Sequence, residues 1–380
     1  MGSDCEYGHR PGRHIGLTSS HTDSPQACRV KPLAAKLLSS CLLTAGLLAA
    51  QPVRADADFL SRMDVRSFIE SMSQEHGIES FELERILGDV RYTPAAVRLI
   101  GPVPSSAPSP ARSYARYRER FLTPAMIADG SRFWSLHAKD LARAKAEFGI
   151  PPEVILGILG VETAYGRNTG SFRVIDALAT IAFDGERRQD YFRQELKELL
   201  LLARESKLDP LVIKGSYAGA VGLPQFMPSS YRRFAVDYDD DGTIDLLGSP
   251  SDAIGSIASY MKAFGWVPGE VPAAPVRLAL GSEADLVSGL ERIHDASEVQ
   301  GMGVVFSGRD PPAGLVSIFE LPTPGKPSKF MAGFTNFEVV TRYNRSTFYA
   351  SAVLELGDAI HKARRTVQLA STQAEPKSLR

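Results

Sequence analysis

The sequence predicts a mostly helical α+β protein, in which a helical body carries a small β-rich insertion. Apolar residues recur with helical spacing through most of residues 56–266 and again at 335–367. Between them, residues 267–334 alternate apolar and polar side chains and contain many prolines and glycines, a pattern typical of short strands. The chain has 380 residues, 44% of them hydrophobic and 23% charged, which is enough to bury a large core.

Composition excludes several classes of function. The formal net charge is −1, so no overall basic field indicates a nucleic-acid partner. The three cysteines are Cys5, Cys28 and Cys41, which excludes a cysteine nucleophile, a Cys-ligated zinc and a disulfide framework beyond residue 55. The sequence also lacks the H-E-x-x-H, G-x-S-x-G and phosphate-loop motifs, and its seven histidines show no metal-ligand spacing.

Residues 1–55 are predicted to contain an export signal. A positively charged region with Arg29, Lys31 and Lys36 precedes the uncharged apolar run 37–50, and a small-residue cleavage site follows at Ala55. The run is too short to span a bilayer comfortably. We therefore expect a periplasmic protein after cleavage.

Two details leave alternatives open in this segment. Leu38-Ser39-Ser40-Cys41 fits the loose pattern of a lipoprotein cleavage site, although Cys41 lies inside the apolar run. Lipid attachment at Cys41 would make the protein a membrane lipoprotein. About 28 polar residues precede the basic region, which suggests a natural start downstream of Met1.

The helical body divides at glycines and prolines. A first helical pattern ends near Gly77, and the Pro/Ser-rich stretch 101–110 predicts an extended strap across the surface. Pro151-Pro152 then opens a strongly apolar helix, because proline suits the first helical turn. Further helices are predicted at 114–121, 130–148, 191–206 and 252–264.

The C-terminal third contains the predicted insertion and the last helix. Residues 304–306 and 315–321 have the composition of strands. A final helix is predicted from about Tyr349 to Val367, and the polar residues 368–380 are predicted to be a disordered tail.

Glu162 is a carboxylate on an apolar helix face. Its neighbours at helical spacing include Ile155, Ile158 and Leu159, and no Lys or Arg stands there to pair with it. Burial among such residues would raise its pKa, as a general acid near neutral pH requires. Helical position alone leaves a second interpretation equally open, in which Glu162 ends the helix and turns out to solvent.

The glycine-rich loop (residues 214–230, KGSYAGAVGLPQFMPSS) suits a sugar-binding cleft. Its glycines allow close backbone approach, and Ser216, Tyr217 and Gln225 provide neutral hydrogen-bonding groups beside Phe226. The plainer interpretation is a loop leading into a helix at Pro228.

At these two motifs the chain resembles a known family. GVETAYGRNTG, followed by GSYAGAVGLPQFMPSSY, is very similar to the pattern of the B-type lytic transglycosylases of bacterial peptidoglycan. The resemblance extends from about Asp58 to Arg365 and includes YRERFLTP, DAIGSIASYMKAFGW and TRYNRS in the same order. It implies a lysozyme-like core.

The resemblance also implies roles for individual residues. Glu162 would be the catalytic acid and base, and Arg187 and Arg188 would meet the substrate, including carboxylates of its peptide stems. Without the resemblance, the arginine pair would be interpreted as a solvated helix start. The residues expected to line the cleavage site or contact sugar are Ser216, Gln225, Tyr117, Phe226, Tyr260, Tyr343 and Asn344.

The implied reaction uses one carboxylate, whereas most glycosidases use two. The family cleaves the β-1,4 bond between N-acetylmuramic acid and N-acetylglucosamine, and the N-acetyl group supports the positive anomeric carbon. The same glutamate then removes a proton from the C6 hydroxyl, giving a 1,6-anhydro end without water or a cofactor. Peptidoglycan strands are the implied partner, and other cell-wall enzymes are candidates for further partners.

The Asp-rich loop (residues 237–248) has the spacing of a calcium-binding EF-hand loop. Its oxygen ligands would come from Asp237, Asp239, Asp241 and the Thr243 carbonyl, with glycine at position 6. Position 12, normally acidic, is Gly248. The expectation is therefore a weak structural Ca²⁺ site, and the alternative is an Asp-rich turn without an ion.

Two rival functions remain at this stage. One is a lysozyme-type hydrolase of the same bond, which product analysis would distinguish. The other is a non-catalytic peptidoglycan-binding scaffold, against which the presence of Glu162, Ser216 and Gln225 argues.

Overall fold

The computed structural model describes residues 59–101, 112–279, 281, 283–307, 311 and 313–374. The predicted export signal, with its alternative lipidation site at Cys41, lies outside the described residues, as does nearly all of the predicted strap at 101–110.

Helices dominate the first two thirds of the described chain. They follow the predicted apolar periodicity, and several begin with proline in the first turn or end at glycine. The helices of this part are α1 (Met63–His76), α2 (Ser80–Gly88), α3 (Pro94–Ile100), α4 (Tyr114–Glu119), α5 (Pro124–Leu136), α6 (Ala138–Phe148), α7 (Pro152–Thr163), α8 (Val174–Asp184), α9 (Gln189–Glu205), α10 (Pro228–Phe234) and α11 (Pro250–Ala263). A two-stranded antiparallel ribbon pairs β1 (Phe172–Arg173) with β2 (Lys214–Gly215).

The β-rich part forms a five-stranded antiparallel sheet with two short helices. Its strand order is β4-β6-β7-β3-β5. Its elements are β3 (Ala273–Arg277), α12 (Glu283–Leu286), β4 (His294–Asp295), α13 (Ala296–Gly301), β5 (Val305–Phe306), β6 (Leu315–Leu321) and β7 (Lys329–Gly333). The chain then returns through α14 (Thr335–Tyr343) and α15 (Thr347–Ala374).

Strand β6 joins the sheet to the helical body, because its side chains pack into two different cores. Successive side chains of a strand point to opposite faces of the sheet. Val316 and Ile318 belong to a small core within the β-rich part. Phe319 and Leu321 belong to the main core, where Phe319 stacks on Phe337 at 4.5 Å between ring centroids. The mostly helical α+β class is therefore confirmed.

The centre of the main core is the contact between α7 and α15. Ile155, Ile158 and Leu159 are fully buried. The two helices approach closely at Gly157, where an added Cβ would lie 2.2 Å from the backbone oxygen of Val353. This contact fixes the helix that carries Glu162.

The predicted disordered tail at 368–380 is partly wrong, because α15 continues to Ala374. Residues 367–374 contain no glycine or proline, so nothing in them ends the helix. Residues 375–380 lie outside the described part.

Candidate active site

Glu162 lies one residue before the end of α7 and is half-buried rather than turned fully into solvent. Burial raises its pKa to about 7, and a hydrogen bond from Tyr349 partly opposes the rise. No second carboxylate among the described residues contributes to this pKa. At neutral pH the group is therefore divided between its acid and its base forms.

Tyr349, on α15, orients the Glu162 carboxyl. Its hydroxyl donates a hydrogen bond to Glu162 Oε1 at 2.6 Å, which leaves Oε2 as the oxygen free of this contact. Tyr349 is 2% exposed, and burial first and the charge of Glu162 second hold its pKa well above the usual value. It therefore stays a donor throughout the neutral range.

The end of α7 is fixed by an unusual turn. Ala164 and Tyr165 both have positive φ, at 50° and 61°, which costs a non-glycine residue about 1–2 kcal/mol. The buried Thr163 hydroxyl donates to the Leu223 carbonyl at 2.9 Å and accepts from the Gly166 N–H at 3.1 Å. These bonds hold the residue after Glu162 against the glycine-rich loop.

Within that loop, Ser216 and Gln225 are both half-buried. Ser216 Oγ accepts hydrogen bonds from the N–H groups of Ala218 and Ala220, so its own proton can be donated. Gln225 Nε2 donates to the carbonyls of Thr169 and Gly222, so its Oε1 can accept. The loop thus offers one neutral donor and one neutral acceptor.

A backbone hydrogen bond fixes the glycine-rich loop to the Asp-rich loop. The Leu223 N–H donates to the Leu246 carbonyl at 2.8 Å. Gly222, at a φ of 74°, allows this approach, because an added Cβ would lie 2.2 Å from the same oxygen.

Three of the predicted sugar-contacting aromatics form one cluster. The Phe226 ring lies 5.5 Å from Tyr260 and 5.8 Å from Tyr343. Phe226 and Tyr260 are buried and Tyr343 is half-buried, so Tyr343 presents the most surface of the three. The Tyr343 ring is nearly parallel to Tyr349, at 6.4 Å, which connects the cluster to the Glu162 carboxyl.

Tyr117 and Asn344 occupy different settings. Tyr117 is half-buried on α4, and its pKa is raised by burial and by the charge of Glu162, which places it within electrostatic reach of that carboxylate. Asn344 is exposed at the end of α14, directly after Tyr343.

Comparison with known proteins identifies the family. Residues 61–358 match the model of the transglycosylase SLT domain. The chain is 38% identical over 350 residues to the membrane-bound lytic murein transglycosylase B of Escherichia coli K12, covering 89% of this chain and 95% of that protein.

Two solved structures have the same fold. The soluble lytic transglycosylase SltB1 of Pseudomonas aeruginosa is 43% identical, with 79% of this chain and 99% of that one covered and a TM-score of 0.74. The E. coli lytic transglycosylase Slt35 in complex with calcium is 38% identical, with coverage of 82% and 97% and a TM-score of 0.74.

The chain belongs to the transglycosylase SLT domain family. The lysozyme-like core predicted for it is confirmed by these neighbours.

The two arginines predicted to meet the substrate directly precede α9, and both are exposed. The Arg188 guanidinium lies 4.1 Å from the centroid of the Tyr191 ring. Arg188 has a φ of 58°. The role of Arg187 and Arg188 in this family member stays a prediction.

The Asp-rich loop brings together a carboxylate set that differs from the predicted one. Carboxylate oxygens of Asp237, Asp239 and Asp252 lie within 4.8 Å of one another. Asp241 Oδ1 instead accepts from the Thr243 N–H at 2.8 Å. Asp252 was missed because it lies on α11, four residues beyond the twelve-residue loop. Carboxylate oxygens suit Ca²⁺, so the donor set fits that ion.

Asp252 and Asp245 shape the loop from its C-terminal end. The fully buried Asp252 accepts from the N–H groups of Tyr238 and Asp245, both at 2.7 Å. At position 12, the Gly248 N–H donates to Asp245 Oδ1 at 2.9 Å. The loop is therefore largely preformed by its own carboxylates.

Proposed function

We propose that this protein is a lytic transglycosylase that cleaves the β-1,4 bond between N-acetylmuramic acid and N-acetylglucosamine in peptidoglycan. The observation that carries the proposal is the half-buried Glu162, whose pKa is about 7 and whose Oε1 is held by Tyr349. Family membership supports the same reaction class.

In the first step, protonated Glu162 gives its proton to the glycosidic oxygen, and the bond from that oxygen to the anomeric carbon breaks. Because Tyr349 occupies Oε1, Oε2 is the oxygen placed to carry the proton. The developing positive charge on the anomeric carbon is met by the substrate's own N-acetyl group, which takes the place of a second carboxylate.

In the second step, the Glu162 carboxylate removes the proton of the C6 hydroxyl, and that oxygen bonds to the anomeric carbon. This closes the 1,6-anhydro ring and restores the acid. The Tyr349 hydrogen bond stabilises the carboxylate between the steps. A pKa near 7 makes both proton transfers feasible at one pH.

The neutral groups around Glu162 suit sugar recognition. We assign Ser216 as a donor and Gln225 as an acceptor to the substrate at the cleavage site, because each has one hydrogen-bonding function left over. Tyr117 and Tyr343 would offer ring surface to the pyranoses, while the buried Phe226 and Tyr260 would support them.

We further propose that the Asp-rich loop holds a stabilising Ca²⁺ that takes no part in the chemistry. The carboxylates of Asp237, Asp239 and Asp252 would bind it. The hydrogen bond from Leu223 to Leu246 would transmit the added rigidity to the glycine-rich loop.

The proposed location is the periplasm, after export. No helix among the described residues is long and apolar enough to cross a membrane. The E. coli relative is membrane-bound by name, so membrane attachment at Cys41 stays the alternative to cleavage at Ala55.

Release of soluble fragments from purified peptidoglycan tests the assigned role of Glu162. Glu162→Gln keeps the side chain's shape but cannot transfer a proton, so the rate should fall on the order of 10²–10⁴-fold or more. Sedimentation of the variant with peptidoglycan should match the wild type. Substantial lytic activity in Glu162→Gln would contradict the proposal.

A further inference from the structure

Arg120 is an exposed arginine held over two aromatic rings. It directly follows α4, and its guanidinium lies 5.3 Å from the centroid of Phe121 and 5.8 Å from that of Tyr117. Within the described part of the chain it makes no ion pair with a carboxylate. The aromatic rings therefore support the guanidinium while its N–H groups stay available.

Several other exposed arginines among the described residues are neutralised by acids. Arg167 pairs with Asp129, and Arg342 pairs with Glu338 at 2.7 Å. Even Arg118, two residues before Arg120, pairs with Glu355. Arg120 thus carries a positive charge that no described carboxylate neutralises.

Arg120 lies beside the catalytic site. The pKa of Tyr117 is raised by burial, lowered by the positive charge of Arg120 and raised by the negative charge of Glu162. One phenol is therefore within electrostatic reach of both groups. The Tyr117 ring also contacts Phe348, the residue before Tyr349, at 5.7 Å. A ligand bound next to Glu162 and Tyr117 would pass close to the Arg120 guanidinium.

We propose that Arg120 binds a carboxylate of the substrate's peptide stem and makes the enzyme prefer stem-bearing glycan to bare glycan. This inference rests on the proposed function. The sugar hydroxyls and acetamido groups are neutral, whereas the stems carry carboxylates, whose two oxygens match the planar fork of a guanidinium. Because the site is exposed, the contact is worth about a fivefold change in kcat/KM.

The preference is measurable as a ratio. Soluble glycan chains that carry peptide stems are compared with the same chains stripped of stems by an amidase, in which the lactyl carboxylate that the amidase exposes is capped as its methylamide. Both are digested in parallel, and kcat/KM is determined for each. The ratio is kcat/KM for the stem-bearing chains divided by kcat/KM for the stripped chains. In Arg120→Gln this ratio should fall about fivefold. In Arg120→Glu it should fall further, because the reversed charge repels the stem. Raising the ionic strength should lower the wild-type ratio toward that of Arg120→Gln.

Arg116 provides the matched control. It is exposed on α4, the helix that Arg120 directly follows, and no described aromatic ring lies under its guanidinium. Arg116→Gln should leave the ratio unchanged.

Three results would decide against the assignment. An unchanged ratio in both Arg120 variants would overturn it, even if their rates on both substrates fell together. An equal fall of the ratio in Arg116→Gln would show a general charge effect and would also overturn it. Absence of glycan cleavage by the folded wild type would remove the proposed function itself, and this inference with it.

Discussion

Replacing Glu162 with glutamine should stabilise the protein, and the gain should grow with pH. In the folded protein the pKa of Glu162 is about 7, against an ordinary value of 4.5, because burial disfavours the charged form. The folded state therefore binds the proton more tightly than the unfolded state. Stability from this group is fully present below pH 4.5 and is lost as pH rises through 7.

The size of the effect follows from the difference between the two pKa values. The two pKa values, 7 and 4.5, differ by about 2.5, and a difference of one in pKa corresponds to about 1.4 kcal/mol, so the whole difference corresponds to about 3–4 kcal/mol. Because the loss of stability follows the titration of the group in the folded state, about 2–3 kcal/mol of it falls between pH 5 and pH 8. Glu162→Gln resembles the protonated acid at every pH and escapes this loss.

Urea unfolding of the wild type and of Glu162→Gln at pH 5 and pH 8 measures the effect. The free energy of unfolding of the variant should exceed that of the wild type by about 2–3 kcal/mol more at pH 8 than at pH 5. Asp64→Asn gives a control whose difference from the wild type should not change between pH 5 and pH 8, because Asp64 titrates at more acid pH in both the folded and the unfolded state. Burial alone would raise the pKa of Asp64, but hydrogen bonds and charge from Arg62 outweigh it and lower the pKa, so that stability is lost as pH falls. A difference between wild type and Glu162→Gln that does not change with pH would refute the reasoning.

Three further results are expected. Tyr349→Phe removes the hydrogen bond that lowers the pKa of the catalytic carboxyl, so the alkaline limb of the pH profile of kcat/KM should move up by about one pH unit. The control Tyr231→Phe removes a buried hydroxyl bonded to the Asp-rich loop and should leave that limb in place. An unmoved limb in Tyr349→Phe would contradict the assignment. Millimolar calcium should raise Tm by a few degrees through preferential binding to the folded state, and Asp237→Ala should abolish the rise; no rise in the wild type would favour an Asp-rich turn without an ion. N-terminal sequencing of the protein from its native host should find a mature chain that starts just after Ala55. A lipidated Cys41 at the N-terminus would refute that cleavage site, and an intact Met1 form would refute export.

Local patterns limited Glu162 to two interpretations, a desolvated carboxyl or a helix-end carboxylate turned to solvent, without deciding between them. Its half-buried position and its pKa of about 7 agree with the first. Helical periodicity also predicted the mostly helical class, and alternation with strand-like composition predicted the strands at 304–306 and 315–321, where β5 and β6 lie. Such features depend on neighbours within a few residues along the chain.

Contacts between distant parts of the chain were not predictable in this way. Tyr349 is 187 residues from Glu162 in sequence, and as an aromatic residue at the start of a helix it has the pattern of an ordinary core side chain. Asp252 joins the carboxylate cluster from the helix after the Asp-rich loop, outside any loop motif. Arg120 is one of several arginines in residues 112–120, and only the structure distinguishes it from the paired Arg118.

The most direct test of the central claim is mass spectrometry of the products released from purified peptidoglycan in heavy-oxygen water. A single carboxylate that acts as acid and then as base predicts muropeptides ending in 1,6-anhydro-N-acetylmuramic acid, without oxygen from the solvent. Reducing ends that carry the heavy oxygen would show that water attacks the anomeric carbon, and would place the enzyme among the hydrolases.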